Sequence, residues 1–128
     1  MSQTIANVTL LVPDYDAGIA FYVDQLGFAL LEDTKLSDTK RWVRVAPAGA
    51  EAALLLAQAD GDAQQTAIGQ QTGGRVSFFL HTDDFARDYD AMRAKGVTFR
   101  EEPRHEAYGS VAVFEDPFGN LWDLIEPA

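Results

Sequence analysis

The feature that most constrains this chain is a repeat, because a chain that spells one structural unit twice must fold as two copies of it. Asn7 to Gly27 reads NVTLLVPDYDAGIAFYVDQLG, and Ser77 to Gly96 reads SFFLHTDDFARDYDAMRAKG. Each begins with an extended apolar run, passes through an aspartate into a helical pattern, and ends on a glycine. Asp14 and Asp84 each stand seven residues after the start of the repeat. A carboxylate there can accept N–H bonds that the first turn of a helix leaves unsatisfied. Tyr15, Ile19, Tyr22 and Leu26 recur at spacings of four, three and four, and Phe85, Tyr89 and Met92 at four and three. Each spacing predicts one buried stripe on a helix, over residues 15–26 and 85–95. Gly27 and Gly96 then fall where a helix ends on a left-handed residue.

The segments after each helix also match. Phe28 to Leu31, Arg41 to Val45 and Ala52 to Ala57 read as strands in the first half, with Pro47 and Gly49 between the last two. Val97 to Phe99, Ser110 to Phe114 and Leu121 to Ile125 do so in the second. The fold class expected is α+β: two βαβββ modules, over about residues 3–59 and 75–128. They are expected to form one curved mixed sheet around a cavity, with the helices outside and an approximate internal twofold. Residues 60–74, rich in Gln, Gly, Thr and Ala, read as a polar linker or flap in a single domain of 128 residues.

Composition removes several function classes. Without cysteine there is no disulfide frame, thiolate zinc site, iron–sulfur cluster or cysteine nucleophile. Twenty acidic against ten basic residues give a formal charge of -10, which repels a phosphate backbone, so nucleic acid is not an expected partner. No run of about 18 apolar residues marks a membrane span, and no basic-then-apolar leader marks a signal peptide, so a cytoplasmic location is expected.

FYVDQLGF at Phe21 to Phe28, FEDPFGNLWDLIEP at Phe114 to Pro127 and the two-module order together resemble the vicinal-oxygen-chelate superfamily. Glyoxalase I, bleomycin-resistance proteins and extradiol dioxygenases form this group, and the resemblance runs from about Ile5 to Pro127. It implies a cavity lined by both modules, a homodimer, and, in the enzymes, a divalent metal on four inward side chains, usually His and Glu. Carried over residue by residue, the first-module histidine falls on Asn7 and the second-module histidine on Ser77. The second-strand ligand falls near Leu54 to Leu56, with Leu55 at its centre, and the last ligand on Asp123. An amide, a hydroxyl, a hydrocarbon and one carboxylate make a poor site for Ni, Zn or Fe, so no metal and no cofactor are expected.

Strand alternation says which side chains look inward. If Asn7 does, so do Thr9 and Leu11; if Ser77 does, so do Phe79 and His81; Asp123 brings Leu121 and Ile125. That mixture of apolar and scattered polar groups suits an organic ligand. Val43 and Val45 fit the helix-packed side, which turns Trp42 and Arg44 inward. There the indole can stack on a planar ligand and the guanidinium can hold an anion; an edge-strand Arg with Trp42 in the core is the alternative. His81 can serve as a general base, as a lone metal ligand or as a solvent-facing strand end. Arg104, His105, Glu106 and Tyr108 can form an acid–base and anion-holding cluster, or a charged loop stitched by an Arg104 to Glu106 pair. A similar EEPR-x-E-x-YG-x-VAVF stretch is familiar in glyoxalase-like members of the superfamily. Glu101 and Glu102 read as a solvated turn.

The ligand-binding candidates are therefore Asn7, Trp42, Arg44, Ser77, Phe79, Arg104 and Asp123, and the catalytic candidates His81, Glu106 and Tyr108. Three readings follow. The first is a metal-independent small-molecule-binding protein of the bleomycin-resistance type, taking an aromatic or cationic compound in the paired-module cavity, with Arg44 and Arg104 available to an anionic substituent. The second is a glyoxalase-family lyase with relocated catalytic residues, and the third an unusual divalent-metal site using His81 or His105 with Asp123.

Overall fold

In each half of the chain a helix carries the chain from the first strand to the far edge of its sheet, and the strands that follow return until the last lies parallel to and beside the first. A computed structural model describes residues 2–128. The chain divides into two compact units, one ending at Ile68 and the other starting at Gly69. The first holds β1 (Asn7–Val12), α1 (Tyr15–Ile19) running on as a π-helical stretch (Ala20–Gln25), β2 (Ala29–Lys35), β3 (Arg41–Ala46), β4 (Ala53–Gln58) and α2 (Asp62–Ala67). The second holds β5 (Val76–His81), α3 (Phe85–Ala94), β6 (Thr98–Phe99), β7 (Arg104–Glu106), β8 (Gly109–Glu115) and β9 (Leu121–Pro127). The strand orders are β1-β4-β3-β2 and β5-β9-β8-β6, with β7 also paired to β8. Both modules thus place the first strand parallel to the last.

The α+β class and the repeat are as expected, and the strands hydrogen-bond as two sheets, one per unit. The capping logic holds in detail. Asp14 accepts from the Ala17 N–H at 2.7 Å, and Asp84 accepts from the Arg87 N–H at 3.1 Å. Gly27 and Gly96 have φ of 87° and 88°, which a residue with a Cβ adopts only under strain.

Three local expectations are corrected. The first helix widens into a π-turn, with the Leu26 N–H bonded to the Phe21 carbonyl at 2.8 Å. The extra residue per turn lets the adjacent Phe21 and Tyr22 both become buried, so the stripe departs from regular α spacing. The linker contains α2, and Arg104 to Glu106, read as loop, pair with Val111 to Gly109 as β7.

One face of each sheet is packed. Leu10, Val12, Val43, Val45, Leu54 and Leu56 are buried in the first unit with Tyr15, Phe21 and Tyr22. An atom added at Gly18 would lie 2.9 Å from the Leu56 side chain, so α1 rests closely on β4. In the second unit the rings of Phe85, Tyr89, Phe99, Phe114, Trp122 and Phe78 run in a continuous series, with centroids 4.5–5.6 Å apart.

The turn joining β8 to β9 is built on a buried carboxylate. Asp116 Oδ1 accepts from the N–H groups of Phe118 and Asn120 at 2.9 and 2.8 Å, and Oδ2 accepts from Asn120 Nδ2 at 2.7 Å. Asp116→Ala would strand three donors, and an orphaned buried donor costs roughly 1–3 kcal/mol. We therefore expect this variant to lose about 3 kcal/mol or more in urea unfolding, and Asp116→Asn to lose less. Wild-type stability in Asp116→Ala would show that the turn holds without its carboxylate.

Candidate functional site

The faces turned away from the helices carry the polar groups singled out in the sequence. In the first unit Trp42 and Arg44 lie opposite the buried Val43 and Val45, as alternation requires. Glu32, Arg44, Leu55 and Thr9 occupy one row across β2, β3, β4 and β1. Arg44 Nη1 donates to Glu32 Oε1 at 2.8 Å, and its Nε reaches across β4 to donate to Asn7 Oδ1 at 2.7 Å. The guanidinium is therefore already engaged by an anion and an amide oxygen.

This arrangement bears on the metal that the resemblance implies. The Asn7 oxygen faces a guanidinium that would repel a divalent ion by several kcal/mol at a separation of about 5 Å. Leu55 offers only hydrocarbon, and Ser77 Oγ lies 3.2 Å from Thr72 Oγ1. Among the described residues no group of three or more His, Cys, Asp or Glu side chains is placed to share an ion. These residues do not fit the four-ligand site.

In the second unit Phe79, Asp123 and Val113 form one row across β5, β9 and β8, and His81, Ile125, Val111 and Arg104 form the next, extending onto β7. Arg104 Nε donates to both oxygens of Glu101, at 3.0 and 3.1 Å. Its Nη1 donates to Glu106 Oε1 at 3.2 Å and to the Tyr108 hydroxyl at 3.4 Å. Glu101 also accepts from the Val113 N–H at 3.2 Å, which corrects its reading as a solvated turn. Tyr108 in this cluster is 54% exposed, and Phe79, on β5 at the other side of the same sheet, is 63% exposed.

Asp123 is the exception among these acids. Its Oδ1 is buried and has no hydrogen-bond partner. Burial pushes its carboxyl above the ordinary range; the positive charge of Arg104 opposes that shift and the negative charge of Glu101 adds to it.

Not all predicted partners meet. Arg104, Glu106 and Tyr108 come together, but His105 follows Arg104 on the strand and so points to the opposite face, where its Nδ1 lies 3.0 Å from Ser110 Oγ. It is thus separated from Asp123 by the sheet. His81 is exposed at the end of β5, three strands from Arg104, or roughly 14 Å at about 4.8 Å per strand. His81, Glu106 and Tyr108 do not form one proton-transfer group. The pairing register of β5 shifts between Val76 and Phe78, which breaks the alternation that grouped Ser77 with Phe79 and His81. Glu32 and Glu101 were missed in the sequence. Glu32 becomes visible only with the β2–β3 register, whereas the three-residue spacing of Glu101 and Arg104 was a usable signal.

A concavity of about 550 Å³ in the first unit is lined by Tyr15, Asp33, Lys35, Asp38, Arg41 and Gln58. Arg41 closes it internally, donating to Asp33 and Asp16 and lying 5.3 Å above the Tyr15 ring. The Arg41 hydrogen bond holds the Asp33 carboxyl below its ordinary range.

Comparison with known proteins agrees with this architecture. Residues 4–124 match the model of a family described as the Glyoxalase/Bleomycin resistance protein/Dioxygenase superfamily. An uncharacterized protein of Shewanella frigidimarina (strain NCIMB 400) is 51% identical over 128 residues, covering 98% of this chain and 95% of that one. The crystal structure of UcmS2 superposes with a TM-score of 0.85 at 30% identity, covering 98% and 99% of the two chains. TnmS3, an antibiotic binding protein from Streptomyces sp. CB03234, superposes with a TM-score of 0.79 at 29% identity, covering 99% and 98%.

The Asp123 carboxyl gives a pH-dependent signature. Because its folded pKa is raised, the fold disfavours the ionised form. Stability is therefore lost as pH rises from the unfolded value of about 3.9 through the folded one. Asp123→Asn should be more stable than wild type at pH 7 in urea unfolding, and the difference should narrow towards pH 4. A wild type more stable than the variant by one margin at both pH values would mean that Asp123 has a structural donor.

Proposed function

The chain belongs to the Glyoxalase/Bleomycin resistance protein/Dioxygenase superfamily, and we propose that it binds a small organic molecule with an aromatic surface and does so without a divalent metal. The observation that carries this reading is the open face of the second sheet. Phe79, 63% exposed, stands directly across from Asp123 on a strand pair whose other face is a packed aromatic core. An exposed ring beside a buried acceptor is a costly surface to leave in water and a serviceable one for a planar ligand. Trp42 gives the open face of the first sheet a further ring. The likeness to TnmS3, described as an antibiotic binding protein, supports the same class of partner.

Binding is favoured over turnover because the acid–base candidates are dispersed, with His81 far from Glu106 and Tyr108. The metal-free part of the reading is supported by Arg44, whose guanidinium faces the oxygen of Asn7. We also place the chain in the cytoplasm and in a homodimer. β1 and β5 each end their sheet with one edge unpaired within that sheet, and a second copy would cover such edges. Absent cysteine fits a reducing compartment.

Titration with acridine, a neutral planar aromatic at pH 7.5, followed by tryptophan quenching, should give saturable binding that EDTA leaves unchanged. Phe79→Ala should weaken it about tenfold, the equivalent of roughly 1.4 kcal/mol and within the worth of one aromatic contact. Absence of saturable binding would sink the reading, and loss of binding in EDTA would sink its metal-free part. Sedimentation should give about twice 14.0 kDa, and a mass of 14.0 kDa at micromolar concentration would refute the dimer.

A further inference from the structure

Resting on the small-molecule reading above, we infer that the ligand is anchored by a hydrogen bond that it donates to Asp123, so the class taken is planar aromatics bearing amino or hydroxyl donors in preference to aromatic carboxylates. Two independent features of the second sheet converge on this. The first is the orphaned acceptor. Buried polar atoms in folded proteins are nearly always partnered, and an unmade bond to a carboxylate is among the costlier omissions. Asp123 Oδ1 has no donor although Arg104 is close enough for its charge to be felt. The guanidinium of Arg104 is instead directed at Glu101, Glu106 and Tyr108.

The second feature is where that oxygen lies. Asp123 is the direct cross-strand neighbour of Phe79. Adjacent strands are about 4.8 Å apart. A ring lying on Phe79 therefore sits beside the strand that carries Asp123, and its edge meets the carboxylate where the side chains covering Oδ1 yield to it. An amino or hydroxyl group on that edge satisfies the acceptor at the same time as the ring covers the phenyl surface.

Charge accounting gives the preference its sign. Around Asp123 the single cation Arg104 faces three carboxylates, those of Glu101, Glu106 and Asp123 itself. In the first unit Arg44 is matched by Glu32. An anion approaching Arg104 meets the carboxylates of Glu101 and Glu106 already on that guanidinium, and one approaching Arg44 meets that of Glu32. A donor-bearing ligand, neutral or cationic, breaks nothing. This reverses the expectation from sequence that the two arginines favour anionic ligands.

Three compounds with one ring system separate the possibilities: acridine, its diamino derivative proflavine, which is a cation at pH 7.5, and acridine-9-carboxylate. Each is titrated by fluorescence into wild type, Asp123→Asn and the exposed-surface control Asp24→Asn, in 0.15 M and 0.5 M NaCl. In wild type, proflavine should bind at least tenfold tighter than acridine, and acridine tighter than the carboxylate, at both salt concentrations. Asp123→Asn should bring proflavine to within about threefold of acridine while leaving acridine unchanged, and Asp24→Asn should change none of the three. Urea unfolding of each variant confirms that it is folded.

A carboxylate bound as tightly as proflavine overturns the inference, as does proflavine affinity that survives Asp123→Asn. Equal loss in Asp24→Asn, or a preference that vanishes at 0.5 M NaCl, overturns it in favour of the protein's general negative charge. If acridine binds and Asp123 makes no difference, the inference fails alone. If none of the three binds, the small-molecule reading fails with it.

Discussion

The parallel pairing of first and last strands within each module is the constraint from which the rest follows. A parallel neighbour cannot be reached by a tight turn, so the chain must cross over the sheet, and here it crosses as a helix. The helix covers one face and needs a dense apolar surface beneath it, supplied by Leu54 and Leu56 on β4 and by Trp122 and Leu124 on β9. The opposite face receives no helix from its own module. Alternation along those same strands then places Leu55 and Asp123 there. The residues that hold the helices and those available to a ligand are consecutive in sequence and opposite in direction.

That coupling explains why the site's polar groups are so fully engaged with one another. A guanidinium on a β-strand face has few backbone acceptors to turn to, because the ladder consumes them. Arg44 and Arg104 are instead satisfied by side chains from neighbouring strands or the adjoining loop: Glu32 and Asn7 in one case, Glu101, Glu106 and Tyr108 in the other. Paired in this way the arginines act as rigid polar walls. Their charge is already met by the carboxylates of Glu32, Glu101 and Glu106, and Arg44 sets a positive charge against the oxygen of Asn7.

The repeat was legible in the sequence because its signals are local. Asp14, Asp84, Gly27 and Gly96 act on the backbone within a few residues, so spacing alone identifies them. Alternation likewise separated Trp42 and Arg44 from Val43 and Val45. What escaped was whatever depends on register. The Arg44–Glu32 pair requires the alignment of β2 with β3, which contains a shift between Leu30 and Glu32 that no period predicts. Grouping Arg104 with His105 failed for a related reason: a stretch read as loop is β7, and on a strand adjacent residues cannot share a face. The π-turn was hidden as well, since the adjacent rings of Phe21 and Tyr22 look like an interruption of an α-helical stripe until the wider turn accommodates both.

Asp123 shows how stability and function pull apart on such a sheet. Every strong local preference in this segment favours an apolar or amide side chain: β9 is flanked by apolar strands, Phe79 and Val113 are its cross-strand neighbours, and burial raises the carboxyl's proton affinity. A structural carboxylate in this protein looks different. Asp116, which is buried as a whole residue, spends both oxygens on three donors within its own turn. The contrast between a buried aspartate and a half-buried one seven residues apart separates a group that holds the fold from one that the fold tolerates. A charge that the fold disfavours, set beside an exposed ring and left out of the hydrogen bonds of Arg104, is placed for something outside the chain.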